Sequence, residues 1–299
     1  MKKVGTLVVT YNRLYLLKEA IDSLRSQTFK DMQIVVVNNG STDGTKEWLE
    51  MQEDIYIITQ ENLGGAGGFF TGMKYIAEAG YEYCWLMDDD VECEPTALEE
   101  LLKAIQIDEN IGFVCSKIMD MEGKPNNVPD IDLRLTKNGY PFWYDKIEYQ
   151  MVKIRVATFV SVLIPTKHIV ELGLPYKEFF IWCDDTEYTK RITNKYNSYI
   201  ACKSEVIHKR TQSGFIAFYL EKNQERLKFY FYKFRNASFI FNQEADFWQK
   251  MGRSFHYLLM FLKMCIKLDF KRANIILKSQ FSLLFFRPHI QYPKKLINL

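Results

Sequence analysis

The stretch "YCWLMDDDVECEP", residues 83–95, runs from an apolar segment straight into three consecutive carboxylates, Asp88, Asp89 and Asp90. A short apolar run bounded by acids reads as a buried strand whose end reaches solvent or a ligand. Three like charges side by side repel, so something cationic is expected to offset them. The same pattern extends outward over the first 120 residues. Strands are expected at 4–10, 33–37, 55–59, 83–87 and 112–116. Helices are expected at 13–27, from a cap at Ser41 or Thr42 to about 51, at 66–79, and at 95–107 with proline in its first turn. Near-continuous β-branched strands alternating with helices predict an α/β fold, a mostly parallel central sheet flanked by helices on both faces.

Ligands of such sheets bind beyond the carboxyl ends of the strands. Four successive strand ends carry small, polar or charged groups: 10–13, 38–41, 61–62 and 88–90. Beyond residue 120 the pattern changes. Residues 121–150 gather Gly, Pro and Asn and read as a long loop of the lid or binding type. Strand character returns at 152–165, a short helix at 166–171 ends at Gly173, and 184–195 reads as a helix. Short strands are expected at 199–202 and 205–208, and from Gly214 the chain reads as helical and rich in aromatics.

The 299 residues carry a net charge of +2, so nothing marks the chain for nucleic acid; the composition is that of a globular protein of one large or two smaller domains. The six cysteines form no CxxC pair and read as reduced thiols rather than a disulfide framework, pointing to the cytosol. The N-terminus reads as a first strand, not a signal peptide. No segment reaches about 18 uninterrupted apolar residues, so no spanning helix is expected.

Asp88 and Asp90 are alternate residues whose carboxylates can converge on one hard divalent cation, Mn²⁺ or Mg²⁺, which prefers oxygen ligands and often bridges to phosphate. The alternative is a solvated acidic turn leading into the next helix. His208 follows two apolar residues at a strand end and is a candidate further ligand, or simply a hydrogen-bonded surface residue. In "FFIWCDDTEYTKR", 179–191, Asp184 or Asp185 could cap a helix or serve as a general base beside aromatic walls, with Trp182 as a sugar or acceptor platform. In "ENLGGAGGFFTG", 61–72, four glycines let backbone approach a ligand at a helix start. Phe70 stands where a GxGxxG pattern needs its third glycine, which argues against a dinucleotide dehydrogenase.

Together these residues resemble the family 2 glycosyltransferases of the GT-A, Rossmann-like fold, over roughly residues 4–215. The resemblance rests on "VVTYNR" at 8–13, "VVVNNGSTDGT" at 35–45, "DDD" at 88–90, "WCDDTE" at 182–187 and His208. It implies a nucleotide-sugar donor, a divalent metal, a glycan acceptor and inversion at the anomeric centre. Thr10, Asn12, Arg13 and Asn39 are then nucleotide contacts, and Asn62, Gly67, Asp89, Trp182 and Asp184 further residues of the donor site. Asp88 and Asp90 are donor-diphosphate and metal residues, His208 a further metal ligand, and Asp185 the base. Relatives often carry Asp where this chain has Asn38; Asn can still hydrogen-bond uracil or thymine. "NLGGAGGF", 62–69, resembles a segment of bacterial galactofuranosyltransferases, and "FYFYKFRNASF", 229–239, one shared with some rhamnosyltransferases. These imply UDP-galactofuranose as donor, with dTDP-rhamnose or another hexose as the alternative.

Residues 246–299 hold ten Lys or Arg against two Asp, interleaved with apolar residues. This predicts a basic amphipathic region, 216–299, that associates with the inner face of the cell membrane and with a polyprenyl-linked acceptor, distinct from a catalytic region at 1–215. A core-packing or homo-oligomer-forming helix pair is the alternative. A non-catalytic partner that keeps the fold is disfavoured, because an idle site has no reason to retain its closely spaced acids.

Overall fold

The computed structural model describes residues 2–209 and 217–294. Nine of its strands form one path across the sheet, in the order Ile55–Thr59, Met32–Asn38, Val4–Thr10, Tyr83–Asp88, Val162–Pro165, Ile111–Met119, Asn197–His208, Met151–Val156 and Asp130–Ile131. The strands β1 (Val4–Thr10), β2 (Met32–Asn38), β3 (Ile55–Thr59) and β4 (Tyr83–Asp88) are mutually parallel. β9 (Val162–Pro165) runs antiparallel between β4 and β6 (Ile111–Met119), and β10 (Asn197–His208) lies parallel to β6. Two short strands complete the far side, β8 (Met151–Val156) and β7 (Asp130–Ile131).

Alternation along β1 and β4 explains why both read as unbroken apolar runs. Val4, Val8, Trp85 and Met87 enter one core with Leu17, Ile21 and Leu24 of α1 (Leu14–Arg25) and with Leu98 and Leu101 of α4 (Ala97–Ile105). Leu7, Val9, Cys84 and Leu86 enter the other, against Phe69, Met73 and Ile76 of α3 (Gly64–Glu78). Each fully buried aliphatic or aromatic side chain of this kind stabilises by about 1.5–3 kcal/mol, and both faces contribute because both are covered. The indole Nε1 of Trp85 donates to Ser161 Oγ at 3.0 Å, so even the largest core side chain is satisfied.

Several local expectations change. The helix α2 (Thr45–Glu50) starts after Gly44, not at Ser41 or Thr42; Ser41 Oγ instead accepts from Asn12 N at 3.0 Å. The 152–165 run is two strands broken by a loop, because the chain must turn from β8 into the middle of the sheet. The two strands at 199–208 are one, β10, with a register shift between Ala201 and Glu205. Val91–Cys93, between the expected strand and helix, is a further strand, β5, paired with β10. The 121–150 loop contains β7 and a 3-10 turn at Ile147–Tyr149.

Past α5 (Thr166–Leu172) and α6 (Asp184–Thr193), the described residues hold three further α-helices, α7 (Gln224–Glu244), α8 (Phe247–Ile266) and α9 (Phe270–Leu283). They share a small core of Leu227, Tyr230, Phe234, Tyr257, Met264 and Ile276. α7 also packs onto the sheet region, where Ile240 and Phe239 meet Tyr176 and Phe179. The expected division at residue 215 and the start of the helical tail at Gly214 fall outside the described residues. No helix among the described residues is long and apolar enough to cross a membrane.

Candidate active site

The partners that the aspartate triplet demands come from two distant segments. Arg13, just beyond β1, donates from Nη1 to Asp89 Oδ1 at 3.2 Å and to Asp90 Oδ2 at 2.9 Å. Thr10 Oγ1 donates to the other Asp89 oxygen at 2.8 Å. Asp89 is thus held by β1 and does not face the cluster that its neighbours form. His208 arrives by strand pairing: β5 follows the triplet at once and pairs antiparallel with β10, setting His208 opposite Val91. Its Nε2 lies 3.0 Å from Asp90 Oδ1, and its Nδ1 lies 3.0 Å from Asn127 Oδ1. One donor atom from each of Asp88, Asp90 and His208 lies within 4.8 Å of the others.

These surroundings set the ionisation of the acids. Burial, then the Asp90 charge, pushes Asp88 up to about 8. Burial pushes Asp89 up to about 6 against the pull of Arg13. Burial also opposes ionisation of Asp90, but the hydrogen bond and charge of His208, with Arg13, outweigh it and hold that carboxyl below the usual range.

The group fits a divalent cation. Asn127 Oδ1 only accepts, so His208 Nδ1 is the donor of that contact, and Nε2 is the ring atom left to face Asp90. A divalent cation between Nε2 and the carboxylate would take the place of a hydrogen bond there. Neighbouring ligands of an octahedral ion with bonds of about 2.1 Å stand about 3.0 Å apart, which matches the Nε2 to Oδ1 separation. Two carboxylates and one imidazole suit Mn²⁺ or Mg²⁺ better than a thiolate-seeking metal.

The other strand ends form a brace. Asn12, at a positive φ of 53°, accepts from Thr42 N at 2.7 Å and ties the end of β1 to that of β2. Asn39 is buried and its amide is committed: Nδ2 donates to Gly64 O at 2.9 Å, and Oδ1 accepts from Gln60 Nε2 and Leu63 N. Asn62 Oδ1 accepts from Gly64 N at 2.9 Å. Asn39 and Asn62 therefore shape the turn into α3. Gly67 is packed under Leu63, whereas Gly65 lines the cleft.

On the opposite wall, neither aspartate is the cap of α6. That place belongs to Cys183, at φ 70°, and Asp184 and Asp185 follow in the first turn, where the helix dipole favours negative charge. Asp185 Oδ1 accepts from Thr186 N at 2.6 Å. Burial raises both carboxyls, Asp184 to about 8 with help from the Asp185 charge. The preceding turn is strained: Phe180, Trp182 and Cys183 all have positive φ, at about 1–3 kcal/mol for each such non-glycine residue. Trp182 stands edge-on to Tyr230 of α7, ring centres 5.2 Å apart.

The two walls close around one cleft of about 310 Å³, lined by Arg13, Asp88, Asp90 and His208 on one side and Trp182, Asp184 and Asp185 on the other. A larger hollow of about 780 Å³, lined by Gly80, Tyr83, Asp108 and Pro165 among others, contains none of these residues. Residues 6–166, more than half of the chain, match Glycosyl transferase family 2.

The chain belongs to glycosyl transferase family 2.

Its relatives include galactofuranosyltransferase GlfT1 of Mycolicibacterium smegmatis, 36% identical over 33% of this chain and 34% of the relative. Glycosyltransferase GlyA of Streptococcus pneumoniae is 36% identical over 34% of this chain and 15% of the relative. The GalNAc(5)-diNAcBac-PP-undecaprenol beta-1,3-glucosyltransferase of Campylobacter jejuni is 33% identical over 34% of each. The matches thus span about a third or less of these relatives' lengths. Among solved structures, S. aureus TarS covers 84% of this chain and 41% of its own at TM-score 0.56 and 17% identity. GalNAc-T7 with UDP, GalNAc and Mn²⁺ covers 85% and 54% at TM-score 0.55 and 15% identity. The fold of this family 2 chain is therefore GT-A.

Sequence reasoning missed Asn127, whose only signal was its place in a Gly- and Pro-rich loop. It also missed Asp43, which accepts from Leu14 N at 3.0 Å and so orders the start of α1 from across the sheet end. The cleft residues Thr158, Phe159 and Val160 lie in the break between β8 and β9 that the sequence showed as one strand.

Proposed function

We propose that this family 2 protein is an inverting, metal-dependent glycosyltransferase that moves a hexose from a UDP-sugar, galactofuranose favoured, to a hydroxyl of a polyprenyl-linked glycan. The observation that carries the reading is the single cleft in which a cation-suited cluster faces an acid pair. Asp88, Asp90 and His208 would hold Mn²⁺ or Mg²⁺, which supplies Lewis-acid charge neutralisation to a leaving diphosphate. Arg13 is placed to bind diphosphate oxygens, since its guanidinium already reaches the edge of the cluster. Thr10, Asn12, Asn39 and Asn62 shape the nucleotide end, and Trp182 offers a platform for a sugar ring.

Asp185 accepts the proton of the acceptor hydroxyl. The freed oxygen attacks the anomeric carbon as the bond to the diphosphate oxygen breaks, the electron pair leaving with UDP. Attack from the face opposite the leaving group inverts the centre in one displacement. Burial and the Asp185 charge raise the Asp184 carboxyl, so the pair resists carrying two full charges beside the acceptor.

Two features support the donor and acceptor classes. The "NLGGAGGF" segment and the match to GlfT1 favour UDP-galactofuranose, and the match to the Campylobacter relative, whose own acceptor is undecaprenol-linked, favours a lipid-linked glycan. The aromatic α7 segment, which resembles one of galactofuranosyltransferases and of some rhamnosyltransferases alike, makes dTDP-rhamnose the second reading. UDP or dTDP release with UDP-galactofuranose, UDP-galactose, UDP-glucose and dTDP-rhamnose tests the choice. Turnover with dTDP-rhamnose alone would overturn the donor assignment.

The acceptor class requires a place at the membrane, and α8 supplies a surface for it. Trp248, Met251, Phe255, Leu258, Leu262 and Ile266 are all exposed, at the three- and four-residue steps of one helical face. Lys250, Arg253, Lys263 and Lys267 accompany them. The pairing of an apolar stripe with basic residues fits the anionic inner face of a cell membrane, each Lys or Arg near it contributing about 1 kcal/mol. A second copy of the chain on the same stripe is the competing outcome.

A further inference from the structure

Two sequence segments that are far apart in the chain, "NLGGAGGF" at the start of α3 and "RN" within α7, meet on opposite sides of the strained turn at 179–183. Asn236 is fully buried, and its Nδ2 donates to the carbonyls of Phe179 at 2.9 Å, Trp182 at 2.9 Å and Ile181 at 3.3 Å. Its Oδ1 accepts from Arg235 Nε at 3.0 Å and Nη2 at 2.9 Å, which fixes the amide orientation. Arg235 Nη2 donates further to Glu178 O at 2.7 Å, and its guanidinium lies 3.8 Å from the Phe286 ring centre. From the other side, Ala66 N donates to Phe180 O at 3.1 Å. Gly64, at φ 72°, leaves room for that carbonyl; a Cβ there would lie 2.0 Å from Phe180 O.

We propose that Asn236, oriented by Arg235, and Gly64 form a two-sided clamp that holds the 179–183 turn at positive φ, making them positioning residues for Trp182, Asp184 and Asp185. The physical argument is one of accounting. A turn with three non-glycine residues at positive φ leaves its carbonyls pointing away from any regular ladder. Those carbonyls must find donors, because buried backbone oxygens are rarely left unpaired. One side chain in α7 serves three of them and α3 serves a fourth. Neither jaw lines the cleft, so the clamp acts through the turn. The catalytic part of the inference rests on Asp185 as base; the clamp itself does not.

Asn236→Asp keeps the shape and the acceptor for Arg235 but removes the shared N–H donors. Hydrogen exchange by mass spectrometry on the full chain is expected to show at least about tenfold faster exchange at 178–183, with the β1, β2 and β4 amides unchanged. With UDP-galactofuranose, kcat is expected to fall about 100-fold, the loss typical of a misplacement near 1 Å. The donor KM and the affinity for UDP with Mn²⁺ should stay within about threefold, because Asp88, Asp90 and His208 stand on other elements. Gly64→Ala, which presses on the turn from the opposite side, should reproduce both the exchange and the kcat effects. It keeps the inference testable if Asn236→Asp does not fold. Unchanged exchange at 178–183 in a folded variant, or an equal acceleration everywhere, overturns the clamp whatever the donor proves to be. Full turnover in Asp185→Asn would instead remove the base and leave the exchange result to decide the clamp.

Discussion

His208 Nε2 rests 3.0 Å from Asp90 Oδ1, although 118 residues separate them in the chain. The contact follows from β5, three residues long, which turns the end of β4 back against β10. A group that could hold a cation is thereby assembled from the middle of the sheet and from its last long strand.

Removing Asn127 tests the support behind that group. Asn127→Ala leaves His208 Nδ1 without its acceptor and the ring free to turn. Loss of such an outer partner typically lowers metal affinity 10–100-fold, so Mn²⁺-dependent UDP binding by calorimetry should weaken by that factor. His208→Ala should abolish the Mn²⁺ dependence. Unaltered Mn²⁺ titrations in both variants would refute the cluster as a metal site.

Asp185→Asn should lower kcat about 10²–10⁴-fold, the range for a general base, with little change in UDP affinity. The proposed base would work only when ionised, and burial raises its carboxyl. The wild-type rate should therefore rise with pH through a midpoint above the ordinary aspartate value near 3.9. A flat profile from pH 4 to 7 would argue against this assignment.

Asp184 makes a prediction about stability. Its folded carboxyl is held up to about 8, against about 3.9 unfolded. Between those values the folded state binds more protons than the unfolded state, so its contribution is present at low pH and is lost as pH rises toward 8. Asp184→Asn removes that dependence. The variant should gain Tm on the wild type between pH 4 and pH 8, and even ~1 kcal/mol corresponds to about 2–4 °C in a chain of this size. A Tm difference that stays constant across this range would contradict the sign.

The Glu187–Arg191 pair lies on the inner side of α6, and Arg191 Nη1 also donates to Leu174 O at 2.9 Å. Arg191→Met strands a buried carboxylate, which costs about 3–5 kcal/mol when one partner of such a pair is removed. Urea unfolding would register this as a lower midpoint, and a shift below ~1 kcal/mol would show that the pair does not secure the helix carrying the acids.

Phe255→Ser with Leu262→Ser should reduce co-sedimentation with vesicles containing an anionic lipid while UDP affinity stays the same. Should the double variant pellet as before, or should wild type prove to be a dimer that the double variant dissolves, the stripe belongs to a protein interface instead.

The order of the first strands and helices could be read from the sequence because each depends on local alternation. An apolar run such as 4–10 must be buried on both faces, and a parallel sheet sandwiched by helices is how such runs are satisfied. Asp88, Asp90, Asp185 and His208 could be singled out too, from their residue types and their places at strand or helix ends, and the structure brings all four to one cleft. Nothing local could show that Arg13 bridges Asp89 and Asp90, that Asn39 is committed to the α3 turn, or that Asn127 backs His208. Those are contacts across 21 to 81 residues, set by which strands pair. The strained turn at 179–183 is the clearest case: the sequence placed aromatics and acids there, but nothing local showed three positive φ values or the donors that Asn236 and the start of α3 bring to its carbonyls. Sequence by itself determined which segments must be buried and which groups could react. Tertiary structure decided which of them meet, because hydrogen bonds and ion pairs depend on separation in space, and that separation is fixed by the sheet rather than by position along the chain.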